Sequence, residues 1–394
     1  MMAATSIAEL EQGAATPIPA RGRIGNVDIL RAVAALAVLV IHAYALGGRV
    51  APIKAQHWYD VPLITLASGV WLFFGISGYV ISRPFVERLI GGRPLPRWGP
   101  YALRRGLRIF PLYWVALSLL IAIDGAAGTR AWQLPFHYLL LNNLIPGRQE
   151  ALFPSAWTLT LEVLFYVALP VLALAVRSRW RSISAERLAG LVIISWIASI
   201  VFTTFADLQG DGEIGLWLRG SLPAMWQMFC PGILLAIVPH LPWSRGHRWA
   251  VAAQRGRLAI GIAIAALVPA AILSSAAPLD YGVVAYQLLV DASRPLFAVG
   301  YGLIIAAAIR GRPWGARARW PLELGLISYG IYLLHPLVID LLLRVHGSPL
   351  RQNDLLGFLV NAACVTALIV PLSLVSWRYF EREFIRLGRR DDDS

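Results

Sequence analysis

Charged residues are scarce in this chain. Only 14% of its 394 residues are charged, whereas a soluble domain carries about a quarter. Together with a mean hydropathy of +0.63, this shortage excludes an ordinary soluble fold. We predict an all-α protein instead, a polytopic bundle of transmembrane helices that forms one domain.

Cysteine and the common cofactor motifs are also scarce or absent. The two cysteines, Cys230 and Cys364, lie in apolar stretches, so a disulfide framework is not expected. The seven histidines form no HExxH motif and no Cys/His cluster, which argues against a metal site. The sequence has no Walker loop and no GxGxxG, which disfavours nucleotide hydrolysis and hydride transfer.

Apolar runs long enough to cross about 30 Å of hydrocarbon recur along the chain. We predict about ten spans, at 27–46, 62–82, 107–123, 156–176, 188–206, 217–238, 257–275, 284–309, 323–343 and 355–377. The first 25 residues lack the order of a signal peptide. We therefore expect a disordered cytoplasmic tail at 1–25, the transmembrane domain at 26–380 and a charged cytoplasmic tail at 381–394.

Basic residues outnumber acidic ones by 35 to 22, a balance that can signal nucleic-acid binding. Their distribution argues otherwise. With the N-terminus placed inside, 26 of the 35 fall in cytoplasmic segments and seven fall outside. This asymmetry follows the positive-inside rule and predicts that both termini are cytoplasmic. The partners it implies are membrane lipids, with no nucleic acid.

Two ionisable residues, Arg31 and His42, interrupt the apolar stretch 29–46. Their spacing is about three helical turns, so both side chains project from one face, roughly 16 Å apart along the axis. Ionisable groups inside a span are costly and predict a functional site. The alternative is that Arg31 snorkels to the interface and that His42 caps the other end of the helix.

Three arginines lie where the most basic loop enters the third span. Arg104 and Arg108 share a helix face, and Arg105 lies beside them. Guanidinium groups bind phosphate in a bidentate manner, and the free N–H groups of a helix start would add to such an anion site. The alternative interpretation is ordinary positive-inside charge.

Polar side chains also interrupt spans two and four. Ser77 and Tyr79 lie among small residues that permit close helix approach, and both could line a cavity. In span four, Thr158, Glu162 and Tyr166 recur every four residues on one face. A carboxylate at this depth must be paired, be protonated or line a cavity, so either function or a structural salt bridge explains Glu162.

Spans eight and nine carry two further patterns. Asp291 and Arg294 are three residues apart and are expected to neutralise each other. In span nine, His335 precedes a proline and also begins the HxxxxD pattern of soluble glycerolipid acyltransferases. Because positions i and i+5 of a helix point about 140° apart, that match is set aside.

Together these motifs resemble the bacterial acyltransferase-3 family of integral-membrane acyltransferases. The matching pieces are Arg31 with His42, 73–79, 104–114, 157–166, 328–336 and 379–382. Their order covers nearly the whole chain. One departure is that Glu383-Phe384 stands where the family usually has Pro-Phe.

The resemblance implies a multi-pass enzyme in the cytoplasmic (inner) membrane of a bacterium. It implies transfer of an acyl group, usually acetyl, from acyl-CoA to a hydroxyl of a surface glycan, a lipid-linked sugar or a secondary metabolite. Acyl-CoA is the donor substrate, and no permanently bound cofactor is expected.

The resemblance also suggests roles for individual residues. Arg104, Arg105 and Arg108 would hold the CoA phosphates, and His42 would act as general base. Arg31 would orient His42 or contact CoA, and Glu162 would anchor an arginine or the acceptor. The candidate cavity residues are Ser77, Tyr79, Trp157, Tyr166, Ser328, Tyr329 and His335.

Two alternatives stay open at this point. Within the enzyme, an acyl-histidine intermediate competes with direct transfer. Outside the enzyme class, the chain could be an exporter or flippase of a lipid-linked sugar that carries out no chemistry. Transporters often contain internal repeats, and the sequence shows no convincing one.

Overall fold

The computed structural model describes residues 25–45, 63, 65–126, 129–144, 146, 152–153, 155–210, 212–242, 256, 259–260, 262–264, 267–268, 283–310, 320–346 and 355–390. For 283–292, 310, 345–346 and 390 it describes the backbone alone. Regular structure in these ranges is helical, with no strand.

The described helices are α1 (Gly25–Ala45), α2 (Gly69–Ile90), α3 (Trp98–Asp124), α4 (Leu134–Tyr138), α5 (Ala156–Arg179), α6 (Ala185–Leu208), α7 (Glu213–Arg219), α8 (Leu222–Ile237), α9 (Val283–Arg310), α10 (Trp320–His346), α11 (Leu355–Ser376) and α12 (Arg382–Arg390). A π-helical turn, Trp377–Glu381, joins α11 to α12.

Within the described ranges, eight helical stretches are long and apolar enough to cross a membrane. Helix α9 adds a shorter apolar segment, Ser293–Ile309. This confirms the predicted polytopic helical bundle. The predicted span at 257–275 lies mostly outside the described residues, and the orientation of the termini stays a prediction.

One predicted helix start was wrong. Helix α3 begins at Trp98 rather than near residue 107, so the three arginines lie well inside the helix. Free backbone N–H groups therefore do not contribute to an anion site beside them. The apolar pattern marks only the part of the helix that crosses the hydrocarbon. Arginine is a good helix former, so the helix extends beyond that part without an apolar signal.

Glycines allow α2 and α8 to cross closely at the centre of the bundle. A Cβ atom at Gly78 would overlap the carbonyl of Phe229, and one at Gly232 would overlap the carbonyl of Gly75. Two helix backbones can approach this closely only where a glycine faces the neighbouring backbone, as in other small-residue contacts between membrane helices. The small residues predicted in span two therefore serve helix packing.

Two loops interlock at one end of the bundle, which we call the arginine-rich end. An Arg177 Nη2 donates a hydrogen bond to the carbonyl of Gly92 (2.9 Å), and Ser182 Oγ donates to the carbonyl of Ile90 (2.7 Å). Helix α12 reaches the same end, where Gly388 packs against Arg104. The loops that the charge pattern predicted to share one face of the membrane thus lie together.

A buried carboxylate joins three elements at the opposite end. Asp207 of α6 forms ion pairs with Arg219 of α7 (3.5 Å) and with Arg294 of α9 (3.2 Å). The side chain of Asp291, the predicted partner of Arg294, lies outside the described residues. Arg294 therefore pairs across helices, and the buried charge of Asp207 is compensated.

Proline occurs inside seven of the described helices: α2, α3, α5, α8, α9, α10 and α11. Each proline lacks an N–H and leaves the carbonyl four residues earlier without its helical donor. In α5, Pro170 frees the carbonyl of Tyr166, and the hydroxyl of Tyr101 from α3 donates to it (3.1 Å). A neighbouring helix thus supplies the donor that Pro170 removes.

Candidate active site

Helices α1 and α10 pack together and bring two histidines into contact. The ring centroids of His42 and His335 lie 4.8 Å apart, with an interplanar angle of 53°. His42 is exposed, whereas His335 is fully buried. We call these two residues the histidine pair.

The hydrogen bond of His42 fixes its neutral tautomer. Its Nδ1 lies 2.7 Å from the carbonyl oxygen of Val38. A carbonyl only accepts, so Nδ1 carries the proton, and Nε2 keeps a free lone pair in the neutral ring. His42 therefore presents a basic nitrogen on an exposed side chain.

A proline holds the second histidine in place. Pro336 has no N–H, so the Tyr332 carbonyl loses its helical donor. The Nδ1 of His335 lies 2.6 Å from this carbonyl and donates to it. The Nε2 of His335 consequently carries a lone pair, and it is buried with no hydrogen-bond partner in the described part of the chain. The His-Pro sequence thus fixes a buried acceptor beside His42.

A small polar cavity lies between α1, α2, α5 and α10. Its volume is about 30 Å³, room for a few water molecules at most. It is lined by Arg31, Val70, Phe73, Phe74, Thr158, Leu159, Glu162, Tyr329 and Tyr332. The cavity brings together two of the three predicted catalytic residues, Arg31 and Glu162.

Glu162 is held by two side-chain hydrogen bonds. Its Oε1 accepts from Tyr166 (2.6 Å) and from Ser77 of α2 (3.1 Å). The Nε of Arg31 is buried without a hydrogen-bond partner. Glu162 attracts Arg31 electrostatically, yet no carboxylate in the described part of the chain lies at direct ion-pair distance from it. Arg31 therefore keeps hydrogen-bonding capacity at the cavity.

The three arginines of α3 point to different neighbours. The guanidinium of Arg105 lies over the rings of Tyr101 (5.8 Å) and Tyr166 (5.5 Å), the tyrosine that donates to Glu162. Arg108 is close enough to Arg31 and Tyr166 to interact electrostatically with both. Arg105 and Arg108 thus adjoin the polar cavity, whereas Arg104 packs against α12.

Tyr332 connects the cavity to the histidine pair. It was not among the predicted site residues. Its ring lines the cavity, its hydroxyl bonds to Thr158, and its carbonyl accepts from His335. Phe73 packs against the same ring, with centroids 5.6 Å apart. A signal was available, since Tyr332 lies three residues after Tyr329 and four before the proline.

A second residue that was missed, Glu381, lies at the arginine-rich end. It is 5% exposed and accepts a hydrogen bond from Ser376 (2.9 Å). Arg108 interacts with it electrostatically. Glu381 lies in the matching piece 379–382, yet its position could not be predicted, because only the π-helical turn after α11 brings this carboxylate back against α3 and α10.

The other predicted cavity residues differ in position. Tyr329 lines the polar cavity and donates to the carbonyl of Ile109 (2.6 Å). Tyr79, Trp157 and Ser328 do not line it. Ser328 donates to a carbonyl of its own helix (2.8 Å), and the carbonyl of Trp157 accepts from Asn143 (3.3 Å). No group of three or more metal-ligating side chains occurs among the described residues.

The fold and these contacts define an integral-membrane helical bundle with ionisable groups in its interior. The acyltransferase domain of the acyltransferase-3 family matches residues 24–378. The chain therefore belongs to this family and is a membrane acyltransferase that moves acyl groups other than amino-acyl groups.

A relative at moderate identity supports the assignment. The chain is 27% identical to nodulation protein 10 of Rhizobium leguminosarum bv. viciae over 359 residues, which is 82% of this chain and 85% of that protein. No solved structure matches the chain significantly. Family membership favours acyl transfer to a hydroxyl over the transport alternative.

Proposed function

We propose that this acyltransferase moves an acetyl group from acetyl-CoA to a hydroxyl of a glycan, a lipid-linked sugar or a secondary metabolite, in the cytoplasmic membrane of a bacterium. The observation that carries the proposal is the geometry of the histidine pair. His42 offers a free Nε2 on an exposed side chain, and a neutral imidazole is a competent base near pH 7.

In the proposed step, the acceptor hydroxyl gives its proton to His42 Nε2 while its oxygen attacks the thioester carbonyl. The C–O bond forms and the C–S bond breaks. The CoA thiolate that leaves takes the proton back from the imidazolium. His335 lies beside a residue that becomes cationic during this step, and its Nε2 keeps a buried lone pair, which supports a role for His335 in stabilising the imidazolium.

The other end of the polar interior suits the donor. Arg105 and Arg108 supply guanidinium groups for the CoA phosphates, with Arg104 further out along α3. Arg31 and Glu162 then line the route toward the histidine pair. The polar cavity is far smaller than a typical small-molecule site, about 300–1,000 Å³, so donor binding there requires the surrounding helices to move apart.

The direct test measures thiol release. Purified protein in lipid vesicles is given acetyl-CoA and a panel of hydroxyl acceptors, and free CoA and the acetylated product are measured. We expect the two to appear in equal amounts. Free CoA without an acylated acceptor, or no CoA release with any acceptor, would contradict the proposal.

A second measurement separates direct transfer from an acyl-histidine. Protein is mixed with radiolabelled acetyl-CoA in the absence of acceptor and is then denatured. Direct transfer leaves the protein unlabelled, because no covalent intermediate forms. Label bound to the peptide containing His42 would establish the two-step route instead.

A further inference from the structure

A second, larger cavity lies between α2, α5, α6 and α8. Its volume is about 400 Å³, within the range of small-molecule sites, about 300–1,000 Å³. Its walls are almost entirely apolar, and the two serines among them are already bonded: Ser82 donates to the carbonyl of Gly78, and Ser195 accepts from Trp226 (3.0 Å). Such walls attract a hydrocarbon rather than water.

The cavity adjoins the lipid-facing surface of the bundle. Leu172 of α5 and Leu191 of α6 line it, and they are 47% and 37% exposed. Phe85 and Val86 of α2 form its buried wall, and each is at most 3% exposed. A chain from the bilayer can thus enter between α5 and α6 and reach side chains that bulk lipid does not touch.

Cationic groups without carboxylate partners lie beyond one end of this cavity. That end is bounded by Val176 and Trp180, and Arg177 lies between them in sequence. One guanidinium nitrogen of Arg177 donates to Gly92, but its Nη1 is buried and has no hydrogen-bond partner among the residues that the structure describes. Arg93 lies in the adjoining loop, and in the described residues no acidic side chain pairs with either arginine.

We propose that the apolar cavity and Arg177 form a binding site for one anionic glycerophospholipid. One acyl chain occupies the cavity, and the phosphate pairs with Arg177, with Arg93 nearby. Because Nη1 of Arg177 is buried, this pairing requires its side chain to turn toward the headgroup. Trp180 lies at the junction, where an amphipathic ring suits the headgroup level of a membrane. Basic loop residues attract anionic lipids, and a planar guanidinium suits a phosphate.

The contacts favour a membrane lipid over the chain of an acyl donor. Phe85 packs edge-on against Tyr101 (5.3 Å), and Tyr101 carries Arg105 on its ring. These aromatic rings separate the apolar cavity from the polar cavity. A donor whose chain lay here would hold its thioester away from His42, whereas a lipid needs no such alignment. The proposal is therefore independent of the proposed acyl-transfer chemistry.

Native mass spectrometry of the purified, delipidated full chain tests the proposal. The protein is titrated with phosphatidylglycerol and with phosphatidylcholine of the same chains, and bound lipid is counted. We expect one saturable phosphatidylglycerol, and a Tm that rises with its concentration because the ligand binds the folded state. Palmitoyl-CoA serves as the competing occupant. Binding of palmitoyl-CoA in its place, or no saturable phosphatidylglycerol, would overturn the proposal.

Matched substitutions locate the site. Ala173→Phe fills the cavity, and Leu174→Phe adds bulk to the next residue, which is 59% exposed to lipid. Only the first should abolish binding. Arg177→Gln should weaken phosphatidylglycerol binding by about tenfold, the value of one charge-assisted hydrogen bond. The control Arg179→Gln, two residues along the chain, should leave the affinity for phosphatidylglycerol unchanged. Equal binding within either pair would contradict the site.

A measurement on the unmodified protein covers the case in which Ala173→Phe does not fold. Phosphatidylglycerol with a photoreactive group at the end of one chain is crosslinked to the wild-type protein, and the modified peptides are sequenced. We expect label on Phe85 or Val86, which are buried in the wall of the cavity. Label confined to exposed side chains of α5 and α6 would mean ordinary surface lipid and would refute the proposal.

Discussion

At one end of the polar interior, the Nδ1 of each histidine is hydrogen-bonded to a main-chain carbonyl, and no hydrogen bond joins its other ring nitrogen to the described residues. At the other end, Glu162 accepts two side-chain hydrogen bonds, and Arg31, Arg105 and Arg108 surround its network. The first arrangement leaves lone pairs free for proton transfer. The second fixes a carboxylate among cations and leaves guanidinium groups free to bind an anion.

This difference predicts different kinetic effects at the two ends. Substitutions at the histidine pair should lower kcat, because they affect the proton transfer. Substitutions at the arginines should raise the KM of the acyl donor, because they affect its binding.

His42→Ala should have the largest effect, a fall in kcat of about 10²–10⁴-fold, the usual contribution of a general base. Steady-state release of CoA thiol measures it, with the KM for acyl-CoA nearly unchanged. His240→Ala, which removes a histidine after α8, is the control and should behave as wild type. A His42→Ala enzyme that kept its kcat would remove His42 from the mechanism.

Glu162→Gln should lower kcat/KM by about 10–100-fold, since hydrogen bonds to a charged group are worth about 1.5–3 kcal/mol each. The amide keeps the shape of the carboxylate but leaves the nearby arginines uncompensated, so the Tm should fall as well. Glu186→Gln, at the start of α6, is the matched surface substitution. Unchanged kinetics and Tm for Glu162→Gln would show that its charge has no role.

The double substitution of Arg105 and Arg108 by Gln should raise the KM for acyl-CoA by at least about tenfold, because charge-assisted phosphate contacts are lost. At saturating donor, kcat should stay close to the wild-type value. Arg187→Gln on α6 is the control for loss of surface charge. If kcat fell while the KM stayed constant, the arginines would act in the chemical step rather than in donor binding, contrary to the proposal.

Pro336→Ala should have the smallest effect, a loss in kcat of a few-fold. The new N–H competes with His335 for the Tyr332 carbonyl, so the imidazole is held less firmly. The helix itself gains a hydrogen bond, so the Tm should be equal or higher. Measuring kcat and Tm on the same preparation tests whether the rate falls while the stability does not. A fall in both would refute this prediction.

Local patterns in the sequence predicted many single elements of this molecule. The apolar runs predicted the helices, because each must be long enough to cross the hydrocarbon. The spacing of Glu162 and Tyr166 predicted that they share a face, and the structure joins them by a hydrogen bond. Charge placement grouped the loops of the arginine-rich end correctly, since insertion sorts basic residues to one side.

Contacts between distant helices could not be predicted in this way. Nothing in the α1 sequence indicates that His335 of α10 will lie against His42, because that contact depends on how whole helix surfaces pack. The start of α3 was wrong for a local reason, since arginines extend a helix without extending its apolar pattern. Glu381 was missed because the direction of the chain after α11 is set by a π-helical turn.

The small volume of the polar cavity has a consequence for the membrane around the protein. A space of about 30 Å³ must expand before it can admit the reacting end of an acyl donor. Expansion inside a bilayer pushes neighbouring lipids aside and works against their lateral pressure. The rate of turnover should therefore follow the fluidity of the host membrane, slowing as the lipid chains become more ordered.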